Sequence, residues 1–274
     1  MAVTDTHPPS SARLKLGRAE HHRDTLSKAV DEFRARDAYE FPYRLRSTPF
    51  STRNVLVEHY VEVNEQPPAD EWSLILGDVL TNLRAALDHS VYRHVVSRTT
   101  LTDAQVRHVQ MPICVTEKQW ADWMKKPIAK QWVSPAYRDA IEQIQPVRQP
   151  DVPDPCLSPL YALNELVNMD KHRMCHVLNY SGQATLDRVN EPLDDTFMAT
   201  VNGKVLAPGK VVASRAVPRP ARGSGDEVGF EWDGEIGYTE TVEVPGIGRL
   251  SLLGLCNGMI HEVDRALTLL SEAE

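Results

Sequence analysis

The fold is decided by residues 70–97, whose sequence is DEWSLILGDVLTNLRAALDHSVYRHVVS. Apolar side chains recur in this stretch every three or four residues, which is the spacing of one face of an α-helix. They are Leu76, Val79, Leu80, Leu83, Leu87 and Val91. The pattern predicts a helix from about Asp70 to Ser97 whose apolar stripe must be covered by other elements.

Other helical patterns in the chain can supply that cover. Long helices are predicted at about residues 12–36, 158–176 and 250–270, each with an apolar face of its own. Shorter helices are predicted after Thr116 and after Ser134, because Thr and Ser cap helix starts and Pro135 suits a first helical turn. Together with residues 70–97, the long helices are expected to form a helical bundle.

Two parts of the chain have the alternating apolar pattern of β-strands. In the first, the alternating residues are Val55, Val57, His59, Val61 and Val63. Residues 43–46 are predicted to pair with this strand, which gives a hairpin within about residues 40–65. The second part is a late β-region over about residues 177–245. Its strands are predicted at residues 196–201, 204–206, 211–213, 227–232 and 239–244, with a turn at Asn202-Gly203 and a loop from Arg215 to Asp226.

The predicted fold class is therefore α+β, with a helical bundle core, an inserted β-hairpin and a late antiparallel sheet in a single domain, 1–274. The composition is globular, and the cysteines are far apart, which argues against a zinc ribbon or a disulfide scaffold. The net charge of −8 argues against a broad surface that coats nucleic acid. The amino-terminal residues are polar and no long apolar run occurs, so we expect a cytoplasmic protein with no membrane span.

Polar side chains on two of the predicted core helices mark a candidate site. On the helix at 70–97 they are Asp78, Asn82, Arg84, Asp88 and His89. At the end of the helix that opens at Ser158 they are Asn164, Asn168, Asp170, Lys171, His172 and Arg173. Both groups flank the apolar stripes of neighbouring helices. We therefore predict that His89 lies within contact range of residues 168–173.

The order of these motifs resembles that of a group of uncharacterised bacterial proteins. Residues 82–89 are NLRAALDH, residues 111–113 are MPI, residues 144–146 are IQP and residues 163–173 are LNELVNMDKHR. The group has an "LRxALDH" helix and an "NxDKHR" helix end. The resemblance covers roughly residues 12 to 180 and implies no known activity.

Arg84 and His89 are separated by four residues, which is similar to the Arg-x(4–6)-His motif of HEPN ribonucleases. Those proteins are helical bundles, often dimeric, and many act in toxin or defence systems. The resemblance implies a metal-independent ribonuclease or phosphodiesterase without a cofactor. In it Arg84 would hold the phosphate and His89 would assist attack by the ribose 2′-hydroxyl. Asp88 and His172 are further catalytic candidates. The substrate-binding candidates are Asn82, Asn168, Asp170, Lys171 and Arg173.

The five-residue step places Arg84 and His89 roughly 140° apart around the helix axis. A single chain would then not complete the site, so the predicted active form is a symmetric homodimer with RNA as its possible partner. Residues 120–132 also interleave tryptophan with lysine, as single-stranded nucleic-acid sites do. We favour a short amphipathic helix with the tryptophans inward.

Other interpretations of the same residues stay open, and the sequence does not decide whether the protein is an enzyme. Arg84 and Asp88 suit an i,i+4 ion pair, and cations suit a helix carboxyl end. The polar cluster could be the buried hydrogen-bond network of a binding or structural protein. Alternatively, His89, His172 and His261 could hold a metal ion in the bundle. Neither the ion pair nor the hydrogen-bond network needs a metal ion.

Overall fold

The computed structural model describes seven stretches of the chain, with ranges 10–47, 54–150, 153–171, 177–188, 197–198, 206–218 and 233–274. Its contacts divide the chain into two compact units. Unit 1 contains Met1–Ala29, Asp70–His176 and Val242–Glu274, and unit 2 contains Val30–Ala69 and Val177–Thr241. The single-domain organisation stays a prediction, because a division by contacts does not measure which parts fold independently.

The helices lie close to the positions that their apolar periodicity and their caps predict, except for the short helix Asp103–Val106, which was not predicted. They are α1 (Ser11–Arg34), α2 (Ala69–Val96), α3 (Asp103–Val106), α4 (Glu117–Met124), α5 (Pro135–Ile144), α6 (Pro159–Asp170) and α7 (Leu252–Glu272). Helix α6 ends at Asp170, earlier than the predicted end near His176, and Lys171 is its carboxyl-terminal cap. Among the described residues, no helix has the length and hydropathy needed to span a bilayer.

Unit 1 is built around α2. The predicted stripe is buried, since each of its leucines and valines is 0% exposed. Lys15 of α1 donates to Asn82 (3.4 Å), and His22 of α1 lies 3.9 Å from Asp78, so α1 and α2 run antiparallel. Arg13 of α1 pairs with Asp264 of α7. The Leu76-to-Val91 stripe therefore packs in a helical bundle, as predicted.

The strands are β1 (Tyr39–Glu40), β2 (Tyr43–Ser47), β3 (Asn54–Tyr60), β4 (Glu62–Val63), β5 (Val177–Arg188), β6 (Phe197–Met198), β7 (Val211–Pro218), β8 (Asp233–Val244) and β9 (Gly248–Ser251). Strand β2 pairs antiparallel with β3, which confirms the predicted hairpin. The sheet orders are β1-β4, β2-β3-β7-β6 and β5-β8-β9. The fold class is thus α+β, with a helical core and antiparallel sheets.

One part of the predicted loop at 215–226 is wrong. Residues 215–218 belong to β7 and pair with residues 54–57 of β3. Their partner strand is remote in sequence, so the local proline- and arginine-rich composition did not reveal the pairing. The predicted Asn202-Gly203 turn and the predicted strand at 227–232 lie outside the described residues.

A buried polar group lies where α2 meets α5. The ring of His94 stacks on Tyr137, with centroids 3.7 Å apart and an interplanar angle of 13°. The Nε2 atom of His94 accepts a hydrogen bond from the Ser134 N–H (3.2 Å), and the Tyr137 hydroxyl bonds to Ser90 (3.0 Å). Burial lowers the pKa of His94, and Arg98 lowers it further. The folded protein therefore favours the neutral form of His94 near neutral pH.

This histidine is expected to make stability depend on pH. The unfolded state takes up a proton on His94 near pH 6.5, whereas the folded state takes it up only at lower pH. The free energy of unfolding should therefore fall as the pH decreases from about 6.5 towards the lowered pKa. Urea unfolding across this range should show a shallower pH slope for His94→Gln than for the wild type. The exposed His261→Gln is the matched control, and an unchanged slope in His94→Gln would contradict the prediction.

Candidate functional site

Arg84 and Asp88 of α2 hold the main chain of a loop. The two side chains form an i,i+4 ion pair, with Arg84 Nη2 3.0 Å from Asp88 Oδ1 and Arg84 Nε 3.1 Å from Asp88 Oδ2. Asp88 Oδ1 also accepts from the Met111 N–H (2.9 Å), and Arg84 Nη2 donates to the Met111 carbonyl (2.8 Å). Both backbone polar groups of Met111 are thus bonded to α2. The ion-pair interpretation is confirmed, and the pair has this second role as a clamp.

The clamped loop forms part of the wall of a cavity in unit 1 of about 740 Å³, which is large enough for a small ligand. We call it the Met111 cavity. Its lining comes from Arg84, His108, the loop 110–114, residues of the segment 119–132, and Asn164. All of these residues belong to unit 1.

The segment from α4 to Trp132 supplies the aromatic side of the Met111 cavity. Thr116 caps α4 by accepting from the Gln119 N–H (3.2 Å). After α4 the chain makes a π-helical turn, Ile128–Trp132, in which the Val133 N–H bonds to the Ile128 carbonyl (3.1 Å). Trp123 and Trp132 are only 5% and 8% exposed, and both line the cavity. The predicted inward orientation of the tryptophans is confirmed.

The hydrogen bonds of the lining leave the NH₂ donors of two glutamines available, whereas Asn164 uses its NH₂ to donate to Glu165 (3.3 Å) and keeps its oxygen available. Gln119 Oε1 accepts from the N–H groups of Val115 (2.8 Å) and Thr116 (3.2 Å), and Gln110 Oε1 accepts from Arg84 (3.4 Å). These bonds fix which end of each amide is oxygen, so the NH₂ ends remain available. Arg84 uses Nε and Nη2 in its bonds, and no described residue accepts from its Nη1.

Around the Met111 cavity the acidic residue is paired, whereas one lysine is not. Asp122 is paired with Lys125 (2.7 Å), whereas Lys126 is exposed and has no ion-pair partner among the described residues. Cys114 also lines the cavity, but burial raises the pKa of its thiol to about 11. The thiol is therefore protonated near neutral pH and is a poor nucleophile. Lys126 thus leaves one positive charge of the lining unpaired among the described residues, and Cys114 is not an activated nucleophile.

The end of α6 contacts α2 near Gly77, far from His89. A Cβ atom placed on Gly77 would lie 3.1 Å from Asp170 Oδ2, so the Asp170 carboxylate lies against Gly77. His89 is about 18 Å further along α2 at the rise of an α-helix. Asn168 and Lys171 are exposed, and His172 and Arg173 lie outside the described residues. Of the predicted α6 residues, Asn164 is the one that the described structure places with Arg84 at the cavity.

The remaining predicted residues have separate surroundings. Asn82 is buried and satisfied, since it donates to the Asp78 carbonyl (2.8 Å) and accepts from Lys15 (3.4 Å). His89 is half-buried and is not part of the cavity lining. His261 is exposed on α7. Within the described ranges, which omit His172, no three His, Cys, Asp or Glu residues are grouped as metal ligands.

The sequence pointed to only part of the Met111 cavity. Arg84 was a predicted site residue, Asn164 was noted on the polar flank of its helix, and the Trp/Lys pattern at 120–132 marked the aromatic wall. His108 and the loop 110–114 were not predicted as site residues, because the bonds from Arg84 and Asp88 to the Met111 backbone do not depend on the side chain at that position. Comparisons of the chain with protein-family models, curated proteins and solved structures found no match. Both family resemblances therefore stay predictions.

Proposed function

We propose that the protein binds a small anionic molecule in the Met111 cavity. The observation that carries this proposal is the state of Arg84, which lines the cavity. Its guanidinium is held by Asp88 and by the Met111 carbonyl, while its Nη1 is not engaged by any described residue. A guanidinium fixed in advance loses little side-chain entropy when it binds an anion.

The rest of the lining supports an anion in the same place. Lys126 adds a positive charge without a described acidic partner, whereas the charge of Arg84 is paired with that of Asp88, and the amide NH₂ groups of Gln110 and Gln119 add neutral donors. Asp122 is the acidic residue of the lining, and Lys125 neutralises it. Polar and apolar residues together form the wall, as is usual for small-molecule sites.

Binding can be measured by NMR titration of the backbone amides of the loop 110–114. The probes are inorganic phosphate, ribose 5-phosphate, quinoline-2-carboxylate and adenosine 5′-monophosphate (AMP). We expect saturable shifts with at least one anion and an affinity reduced about tenfold in Lys126→Gln, which leaves the clamp intact. Arg18→Gln, an exposed α1 residue, is the control and should bind like the wild type.

Arg84→Gln should weaken the same binding more strongly than Lys126→Gln, because it removes the fixed fork of donors. Arg84→Lys keeps the charge but not the fork, so its affinity should lie between those of the wild type and Arg84→Gln. The proposal is overturned if no anion of the panel saturates, or if the Lys126 and Arg84 variants bind as the Arg18 control does.

RNA cleavage by Arg84 and His89 is a second candidate function. It is favoured by the unengaged Arg84 Nη1 and by the partial exposure of His89 on the same helix. His89→Ala should abolish cleavage of a mixed-sequence single-stranded RNA with nearly unchanged melting temperature, and active protein should sediment as a dimer. Arg84→Ala cannot serve alone, because it also releases the Met111 loop. The exposed His261→Ala should retain cleavage, and a wild type without RNA cleavage removes this candidate.

A further inference from the structure

We infer that the anion taken up by the Met111 cavity carries a flat heteroaromatic ring, which packs against Trp123 and Trp132 while its acidic group binds Arg84. This inference rests on the proposed function and adds the chemical class of the ligand. A phosphate ester and a carboxylate of such a ring share this chemistry.

The Met111 cavity has an apolar wall that a bare anion would not use. The indoles of Trp123 and Trp132 line the cavity together with Met111 and Ile128. One face of Trp123 is stacked on Trp120, with centroids 4.9 Å apart, so a ligand ring can meet this indole only from its other face or at its edge. An inorganic anion at Arg84 would leave this wall against water. A ring stacked on an indole buries apolar area on both partners, and such stacking contributes substantially to the binding of flat molecules.

The indole N–H groups indicate that the ring has acceptors at its edge. No described residue accepts a hydrogen bond from Nε1 of Trp123 or Trp132, and neither atom is among the fully buried groups that lack a partner. Both N–H donors therefore remain in contact with solvent. An indole can only donate, so a ring nitrogen or carbonyl suits it, whereas a hydrocarbon ring would leave the donor unsatisfied.

Different elements of the chain supply the anion-binding part and the aromatic part of the cavity. Arg84 is fixed to α2 through Asp88, and the indoles belong to α4 and to the π-helical turn. Lys126 lies between the two tryptophans in sequence and lines the same cavity. A volume of about 740 Å³ accommodates a ring with one attached acidic group and leaves room for water.

The test compares four probes with one residue-specific readout. In a ¹H–¹⁵N spectrum each tryptophan gives an indole N–H signal, and Trp123→Phe and Trp132→Phe assign two of them. AMP or quinoline-2-carboxylate, whose rings carry nitrogen acceptors at the edge, should shift both of these signals saturably. The signal of Trp72, which is 0% exposed near the start of α2, should not move. AMP should bind about tenfold more tightly than ribose 5-phosphate or inorganic phosphate.

Variants of Trp132 test the contribution of the ligand's ring separately from that of its acidic group. Trp132→Leu should lose about tenfold in affinity for the aromatic anion and leave the affinity for inorganic phosphate unchanged. Trp132→Phe, which keeps a flat ring, should retain most of the affinity and guards against a folding defect. Thermal melting of both variants completes this control.

The outcomes distinguish the inference from the proposed function. If ribose 5-phosphate or inorganic phosphate binds as tightly as both aromatic anions, the heteroaromatic ring is refuted and anion binding stands. If no probe saturates, both are refuted. Binding of AMP alone identifies a phosphate ester, and binding of quinoline-2-carboxylate alone identifies a carboxylate; either result supports the inference.

Discussion

Replacing Tyr137 with alanine is expected to lower the free energy of unfolding by about 3–5 kcal/mol. The Tyr137 side chain is 0% exposed, and its ring is stacked on His94 at a centroid distance of 3.7 Å. Alanine would leave a cavity between α2 and α5 and would remove the hydroxyl partner of Ser90. Urea unfolding followed by circular dichroism at pH 7.5 measures the change while His94 stays neutral.

Two variants make this result specific. Tyr92→Ala changes the same residue type on α2, but Tyr92 is 42% exposed, so its cost should be small. Tyr137→Phe removes only the hydroxyl and should cost about 1 kcal/mol, the usual contribution of one buried hydrogen bond. Equal destabilisation by Tyr137→Ala and Tyr92→Ala would contradict the contribution of the buried His94–Tyr137 pair to stability.

Asp88→Ala is expected to have the second largest effect, a loss of about 1–3 kcal/mol in the free energy of unfolding. The substitution removes the acceptor of the Met111 N–H and leaves the mostly buried Arg84 without its carboxylate. Hydrogen exchange should show a faster Met111 amide in the variant, because its only described acceptor is gone. Chemical denaturation measures the stability.

The matched substitution is Asp78→Ala, three turns earlier on the same helix. The Asp78 side chain is 64% exposed, and its carboxylate lies 3.9 Å from Nδ1 of His22. Its loss should change stability little. Asp88→Asn retains an oxygen that can accept from Met111 and should recover part of the loss. Equal effects of Asp88→Ala and Asp78→Ala would show that the clamp does not stabilise the fold.

The helices could be predicted from the sequence because their signals are local. Thr116, Ser134 and Ser158 precede α4, α5 and α6, and each is the amino-terminal cap in the structure. The apolar stripe of α2 is likewise a property of one segment. Strand β7 is longer than the predicted strand at 211–213, because pairing with β3 supplies backbone hydrogen bonds that cannot be predicted from the local composition.

The candidate site was less predictable than the fold. Arg84 and Asp88 were recognisable as a pair, but their bonds to the Met111 backbone involve a residue whose side-chain identity says nothing about that contact. Asp170 was expected near His89, and α6 instead brings it to Gly77. Periodicity shows which face of a helix is buried, but it does not fix the relative height of two antiparallel helices.

The π-helical turn at Ile128–Trp132 makes the aromatic wall sensitive to changes in chain length. A π-helical turn is wider than an α-helical one, and this turn is bounded by Pro127 and by the extended residue Val133. Loss of one residue here would move Trp132 by one position along the turn and rotate its side chain by about 100°. Trp132 would then leave the wall. A single codon inserted or deleted in this segment would therefore reshape the cavity without any substitution among the residues that line it.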